Sequence, residues 1–291
     1  MKILIFGATG NTGLPLLKQC HSAGVATRAL IHDANKRSLV SDYSDDIKQI
    51  EFADLDSLRD VFQDCTHMYL VKPFPDNQIV QDAIPLVIER AKKVGLSHIT
   101  YMSQPVDRMP PDNAACIWHK ATEKLIRDSG IAYSFLRPHY FMSNFFGMNL
   151  SEDKSTLEIA MPFGNGKRSP TDPADIAAVV LACMQNEKYH NSALELTGPE
   201  LLSFAEIANV FSENGVPVKY IDITMEQARE KFLAKGVGEK SVESLLELFK
   251  CVREHRFEVS ANVIENILER PASSLANFVC ENKEKLDLLF L

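Results

Sequence analysis

The chain has 291 residues, 45% hydrophobic and 24% charged, which is enough apolar content to bury a large core and too much for a disordered chain. A net charge of −8 without a basic stripe excludes a phosphate-backbone partner, so direct nucleic-acid binding is not expected. No apolar run nears the roughly 18 residues a bilayer span needs, and MKILIFGATG reaches its glycines too early for a signal peptide, so a cytoplasmic chain without membrane association is expected.

In chain order, strand-like apolar runs alternate with helical patterns through the first half. KILIF (2–6) enters a glycine turn and a helix carrying Leu14, Leu16, Leu17 and Cys20. VATRALIH (25–32) and IKQIEF (47–52) are the next strands, and a helix over about 55–64 leads to MYLV (68–71). A helix over about 77–94 leads to SHITYMS (97–103), and the helix holding AACIWHKATEKL (114–125) leads to IAYSFLR (131–137). Six β/α units in this order predict an α/β, doubly wound parallel sheet with right-handed crossovers. From about residue 140 helical patterns dominate, at 173–186, 203–214, 224–235 and 240–254, interrupted by strand-like ALELTG (193–198) and VKYIDI (218–223). No Ser/Gly-rich linker separates the halves. A doubly wound sheet domain over 1–150 is therefore expected, with a smaller, mostly helical part over 151–291 interleaved with it and walling the cleft beyond the strands' carboxyl ends. The six cysteines stand singly, with no C-x-x-C and no histidine at ligand spacing, so reduced, mostly buried thiols and no metal site are expected.

FGATGNTG (6–13) places glycines at 7, 10 and 13, directly after the first strand and at the start of a helix. There the chain turns tightly, its backbone can approach a pyrophosphate, and the helix N-terminus faces the negative charge. The alternative is a tight turn with no ligand, but the position favours a nucleotide site built from Gly7, Thr9, Gly10, Asn11, Thr12 and Gly13. The second strand ends at His32, followed by Asp33 and then by Lys36 and Arg37. The basic pair leans toward the 2′-phosphate of NADP, while Asp33 keeps NAD open, and the pair could equally be ordinary solvated charges. Asp54, in FADLDS, sits where an adenine contact would fall, or is the N-cap of the following helix.

GATGNTG, FADLDS, LRPHYFMSNFF (136–146), GNGKRSPTDPADIAAV (164–179) and LTGPELLSFAEIA (196–208) together resemble the NmrA-like branch of the atypical short-chain dehydrogenase/reductases. That branch includes redox-sensing regulators, quinone oxidoreductases and festuclavine dehydrogenases, and MYLVKP, LRPHYFMSNFF and GPELLSF are most similar to the ergot-type reductases. The resemblance runs over nearly the whole chain and implies a Rossmann domain binding NAD(P)(H), with the C-terminal part shaping a substrate pocket. Ordinary members of the superfamily carry Tyr-x-x-x-Lys on the AACIWHKATEKL helix, commonly with a glutamate four residues after the lysine. Aligned through Glu123, His119 takes the lysine position and Ala115 the tyrosine position.

Alanine transfers no proton, so this resemblance excludes a tyrosine general acid on that helix. An iminium ion, a quinone or an activated enone accepts hydride without prior protonation of a carbonyl oxygen, and positioning alone could supply much of the acceleration. An NAD(P)H-dependent reductase of a small planar electrophile is therefore expected. A non-catalytic NAD(P)-sensing regulator that changes its protein partner is the alternative. His119 is expected to hold the nicotinamide ribose or donate a proton, against the alternative of a buried, hydrogen-bonded histidine. Ser103 matches the family's substrate-side serine, or caps a turn in MSQP. Tyr140, Phe141 and Phe145, around Asn144, either line a flat apolar pocket or seal the halves together, and Trp118 is pocket wall or core.

Overall fold

A computed structural model describes residues 1–52, 54–71 and 78–290. Six strands, β1 (Lys2–Ile5), β2 (Ala26–Ile31), β3 (Ile47–Gln49), β4 (His67–Leu70), β5 (His98–Met102) and β6 (Ala132–Pro138), run in the order 3-2-1-4-5-6. Every pairing among them is parallel, with Ile3 of β1 opposite Thr27 of β2 and His67 of β4. Strands covered on both faces are largely apolar: Ile3, Leu4 and Ile5 are fully buried, and β5 is buried along its length with His98 and Thr100 as its polar members. The strand order reverses between β1 and β4, the switch point beyond whose carboxyl ends doubly wound sheets bind ligands. ALELTG, expected in the C-terminal part, instead supplies Ser192–Leu196, the seventh strand of this sheet beside β6.

Helices α1 (Gly13–Ser22), α2 (Gln78–Lys93), α3 (Ala114–Ser129) and α4 (Pro173–Gln185) fall close to their expected spans. On α2, Val80, Ala83, Ile84, Val87, Ile88 and Ala91 form one buried stripe at helical spacing. The helix expected over 55–64 is only a 3-10 turn, Leu55–Leu58. Local side chains capture its backbone: Asp54 accepts from the Asp56 amide at 3.0 Å, and the Ser57 hydroxyl reaches the carbonyls of Glu51 at 2.9 Å and Asp54 at 2.6 Å. Ala53 of FADLDS, Lys72 and Pro73 of MYLVKP and Asn77, at the expected start of α2, lie outside the described residues.

The chain forms two compact units, one of residues 1–104, 117–137 and 176–194, the other of 105–116, 138–175 and 195–291. The first unit's core gathers Leu4, Phe6, Leu30, Phe62, Leu70, Val87, Ile99, Tyr101 and Phe135. The second is built on a three-stranded sheet, Val218–Asp222 parallel to Leu157–Met161, which pairs antiparallel with Asn149–Leu150. Around its core of Phe145, Phe163, Phe204, Phe211 and Val252 lie α5 (Phe204–Glu213), α6 (Met225–Ala234) and α7 (Glu239–Arg253). Reciprocal caps open two of these, Ser203 with Glu206 and Thr224 with Gln227. The six cysteines are free thiols, all buried except Cys280. Among the described residues no helix is long and apolar enough to cross a membrane.

At the amino ends of β4 and β5 three imidazoles cluster: His98 stacks on His190 at 4.2 Å, and His67 lies 6.0 Å from His98. His98 is fully buried against the Ser134 hydroxyl at 3.0 Å. Burial, then the neighbouring His190 and His67, pushes its pKa down to about 3. An unfolded histidine titrates near pH 6.5, so below that pH the unfolded chain binds a proton that the folded chain refuses. This contribution is intact above pH 6.5 and is lost as pH falls toward 3. Between pH 7 and pH 5 the wild type should lose roughly 1–2 kcal/mol more in urea unfolding than His98→Gln. Equal losses would refute the assignment.

Candidate functional site

The chain leaves β1 and turns at Gly7 with φ at +66°, a conformation that favours glycine. A Cβ at Gly7 would lie 2.7 Å from Val71 Cγ1, and one at Gly13 would lie 2.0 Å from the Gly7 carbonyl oxygen. The turn is closed by the Gly10 amide on the Gly7 carbonyl at 2.8 Å and the Leu14 amide on Gly10 at 3.1 Å. Thr9 is half-buried, while Gly10 and Asn11 are exposed. Thr12 occupies the N-cap of α1, yet its side chain caps nothing; its buried hydroxyl lies 2.5 Å from that of Tyr69 on β4. Burial pushes the Tyr69 hydroxyl up, so it stays a neutral phenol able to donate or accept. The hydroxyl pair ties the turn to β4 across the switch point. Toward solvent the turn offers backbone N–H groups and the positive end of a ten-residue helix, the donor set that suits a pyrophosphate.

Around the end of β2, His32 is exposed, with Nδ1 3.1 Å from the Ile50 carbonyl and its ring 5.1 Å from Phe52. Asp33 accepts from the Asn35 amide at 2.9 Å and so opens a 3-10 helix, Ala34–Leu39. Lys36 and Arg37 stand exposed on that helix, and among the described residues neither enters an ion pair. Asp54 is exposed and serves as the cap of Leu55–Leu58, the local alternative of its two expected roles.

The face of α3 toward the sheet is more polar than its sequence suggests. His119 is 3% exposed, its Nδ1 2.7 Å from the Tyr101 hydroxyl and its ring edge-on to Trp118 at 5.2 Å. Burial, with the Glu123 charge adding to it against a hydrogen bond with Thr122, pushes the Tyr101 hydroxyl up, so it too stays neutral. Trp118 belongs to the first unit's core. Ser103 is 2% exposed and donates to Glu123 Oε1 at 2.7 Å. Arg137 grips the same carboxylate with Nε 3.0 Å from Oε1 and Nη2 2.7 Å from Oε2. Glu123 is therefore the hub of a buried cluster joining α3 to the ends of β5 and β6. The sequence pattern singles out neither Tyr101 nor Arg137; the available signal was an arginine at the end of the largely apolar run IAYSFLR.

In the second unit, Tyr140–Phe141 pairs with Pro170–Thr171. Tyr140 and Phe141 are half-buried and Asn144 is exposed. Phe145 is 1% exposed in that unit's core, packed on Tyr140 at 5.5 Å and Phe211 at 5.1 Å.

The sequence profile of the NmrA-like family matches residues 1–278. The NAD(P)H azoreductase of Xenophilus azovorans is 28% identical over 279 residues, spanning 95% of this chain and 96% of its own. The NADPH-dependent quinone oxidoreductase of Escherichia coli, solved with NADPH, superposes with a TM-score of 0.80 at 20% identity over 100% of both chains. NmrA, a negative transcriptional regulator solved with NAD, superposes with a TM-score of 0.79 at 16% identity, over 100% of this chain and 98% of its own. These structural likenesses speak to the fold, and the profile match takes in the glycine turn, the α3 cluster and most of the second unit. With that sheet order, that turn and that match, the chain belongs to the NmrA-like family.

Proposed function

We propose that the chain is an NADP(H)-preferring oxidoreductase that passes hydride to a small planar unsaturated electrophile, a quinone, an iminium ion or an enone. The observation that carries this is the glycine turn at the switch point, with Lys36 and Arg37 exposed after β2 and, among the described residues, without counter-ions. Support comes from an azoreductase named for NAD(P)H and a quinone oxidoreductase solved with NADPH among its likenesses. When bound, the nicotinamide supplies the hydride. The chain's own residues bind and orient: the N–H groups at the start of α1 hold the pyrophosphate, and Lys36 and Arg37 neutralise a 2′-phosphate. Asp54, spent on its cap, is left as a minor adenine contact. His119 and Ser103 are positioning groups, fixed by Tyr101 and Glu123. With Ala115 at the tyrosine position, no acid on α3 protonates the acceptor, which suits electrophiles that take hydride first.

The same buried bonds of His119 and Ser103 favour a second reading, an NAD(P)-sensing regulator that binds dinucleotide and a protein partner without turnover. Oxidation of NADPH and NADH is followed with a panel of quinones, azo dyes, enones and iminium ions. NADPH consumption is expected with at least one, and Lys36→Ala/Arg37→Ala should weaken NADPH by roughly 10–100-fold relative to NADH, the loss of charge-assisted phosphate bonds. If calorimetry finds NADP bound while every electrophile stays at background, the regulator stands in place of the enzyme.

A further inference from the structure

Arg168 lies on a two-residue strand of the second unit, paired antiparallel with Leu202. It is 8% exposed, and its guanidinium stacks on Phe257 at 4.2 Å from the ring centroid, with the Tyr140 ring at 5.7 Å. Among the described residues it enters no ion pair, and its Nε is buried without a hydrogen-bond partner. Glu195, the acid of the neighbouring cluster, is already engaged. Arg108 holds both its oxygens, through Nε on Oε1 and through Nη2 at 3.1 Å on Oε2, and His139 Nε2 lies 2.7 Å from Oε1.

The protonation of His139 follows from that arrangement. Its hydrogen bond to His139, then its bonds to Arg108, hold Glu195 down to about 2 despite partial burial, so it is an ionised acceptor and His139 Nε2–H is the donor. His139 is 4% exposed; burial lowers its pKa, and the Arg168 and Arg108 charges lower it further against the pull of Glu195. It is therefore neutral, and its Nδ1 is a bare acceptor, also buried without a partner. His139 meets Phe257 edge-on at 6.2 Å, so the unmatched donor and the unmatched acceptor stand against one ring.

A buried guanidinium without a counter-ion costs more than two aromatic faces return, and burial pushes the Arg168 pKa down to about 10. A local rule broken at a cost, with no compensating contact, marks a place kept for a ligand. We propose that Arg168 anchors a binding site for a small oxyanion that also carries a hydroxyl, a protonated phosphate group or a hydroxy-carboxylate. The guanidinium takes the charged oxygens and His139 Nδ1 accepts from the ligand's O–H. The site lies wholly within the second unit and does not rest on the hydride-transfer reading.

The full chain is melted with increasing inorganic phosphate or lactate, against sulfate and acetate at matched ionic strength. Phosphate or lactate should raise the Tm saturably by several degrees, and sulfate and acetate, which bring no O–H at pH 7, by less. A shift with phosphate alone assigns a phosphate ester; one with lactate alone assigns a hydroxy acid. Because the glycine turn also invites phosphate, the decisive comparison is with Arg168→Met, which fills the same place on Phe257 without charge. That variant should lose the shift and, without anion, melt no lower than the wild type. Arg168→Lys, which keeps the charge but loses the planar fork, should bind roughly tenfold more weakly. A shift surviving in Arg168→Met places the anion elsewhere and overturns the proposal. Absence of any shift in the wild type, with Arg168→Met melting lower, makes Arg168 a packing residue and overturns it as well.

Discussion

Replacing Glu123 by alanine is expected to cost about 3–5 kcal/mol, as when one partner of a buried ion pair is removed. The carboxylate is 3% exposed and carries three bonds, one from Ser103 and two from Arg137, whose side chain is only 14% exposed. Alanine removes that carboxylate, while the guanidinium and the serine hydroxyl that bonded to it stay inside. Glu123→Gln keeps oxygen and shape but loses the charge, so its cost should be smaller, about 1.5–3 kcal/mol. The double variant Glu123→Leu/Arg137→Met removes both charges and should lose less than the two single variants summed. Urea unfolding of the set measures all of this. A loss below about 1 kcal/mol for Glu123→Ala would mean that the cluster behaves as a screened surface pair. Against a typical net stability of about 5–15 kcal/mol, the expected loss would leave the chain marginal.

How much of this was legible in the sequence depended on whether the cause was local. β1 and β5 could be read because a strand buried on both faces is largely apolar, and α2 because its stripe repeats at helical spacing. The glycine turn could be read because backbone geometry imposes the residue type. Ser192–Leu196 looks the same whether it pairs with the main sheet or a small one, since its partner β6 lies far away in sequence. The 3-10 turn at Leu55–Leu58 was hidden behind a plausible helical pattern, because side-chain capture by Asp54 and Ser57 outweighed it. The helices Val263–Leu268, Leu275–Glu281 and Lys283–Asp287 have too few turns to show a period. At the site the same division holds. Asp54 was legible as a cap, whereas Glu123 served only to align α3, because its partners arrive on β5 and β6. Arg168 and His139 gave no local sign of being unmatched, since that depends on which acid Arg108 occupies.

Gly13→Ala should abolish dinucleotide binding at ordinary concentrations, with affinity for NADP falling roughly 100-fold or more, as a displacement of about 1 Å can do. The new Cβ would lie 2.0 Å from the Gly7 oxygen, 2.8 Å from its carbonyl carbon and 3.0 Å from Ala8 Cα, all backbone atoms, so no rotamer relieves the clash. The turn must open. Opening it pulls on the Gly10–Gly7 hydrogen bond and on Thr12, which Tyr69 fixes from β4. The N–H groups at the start of α1 then lose their common aim. Overpacking of this kind also costs about 1–3 kcal/mol, so urea unfolding is measured beside calorimetry to separate a misaimed turn from an unfolded chain. Gly147→Ala is the control: nothing lies within 4 Å of its added Cβ and its φ is not positive, so it should change stability by less than about 0.5 kcal/mol and leave binding intact. If folded Gly13→Ala binds NADP as tightly as the wild type, the turn is a structural corner and the cofactor must be held elsewhere. If binding falls while the fold holds, the close approach of Gly13 to Gly7 is there to aim the backbone at a pyrophosphate.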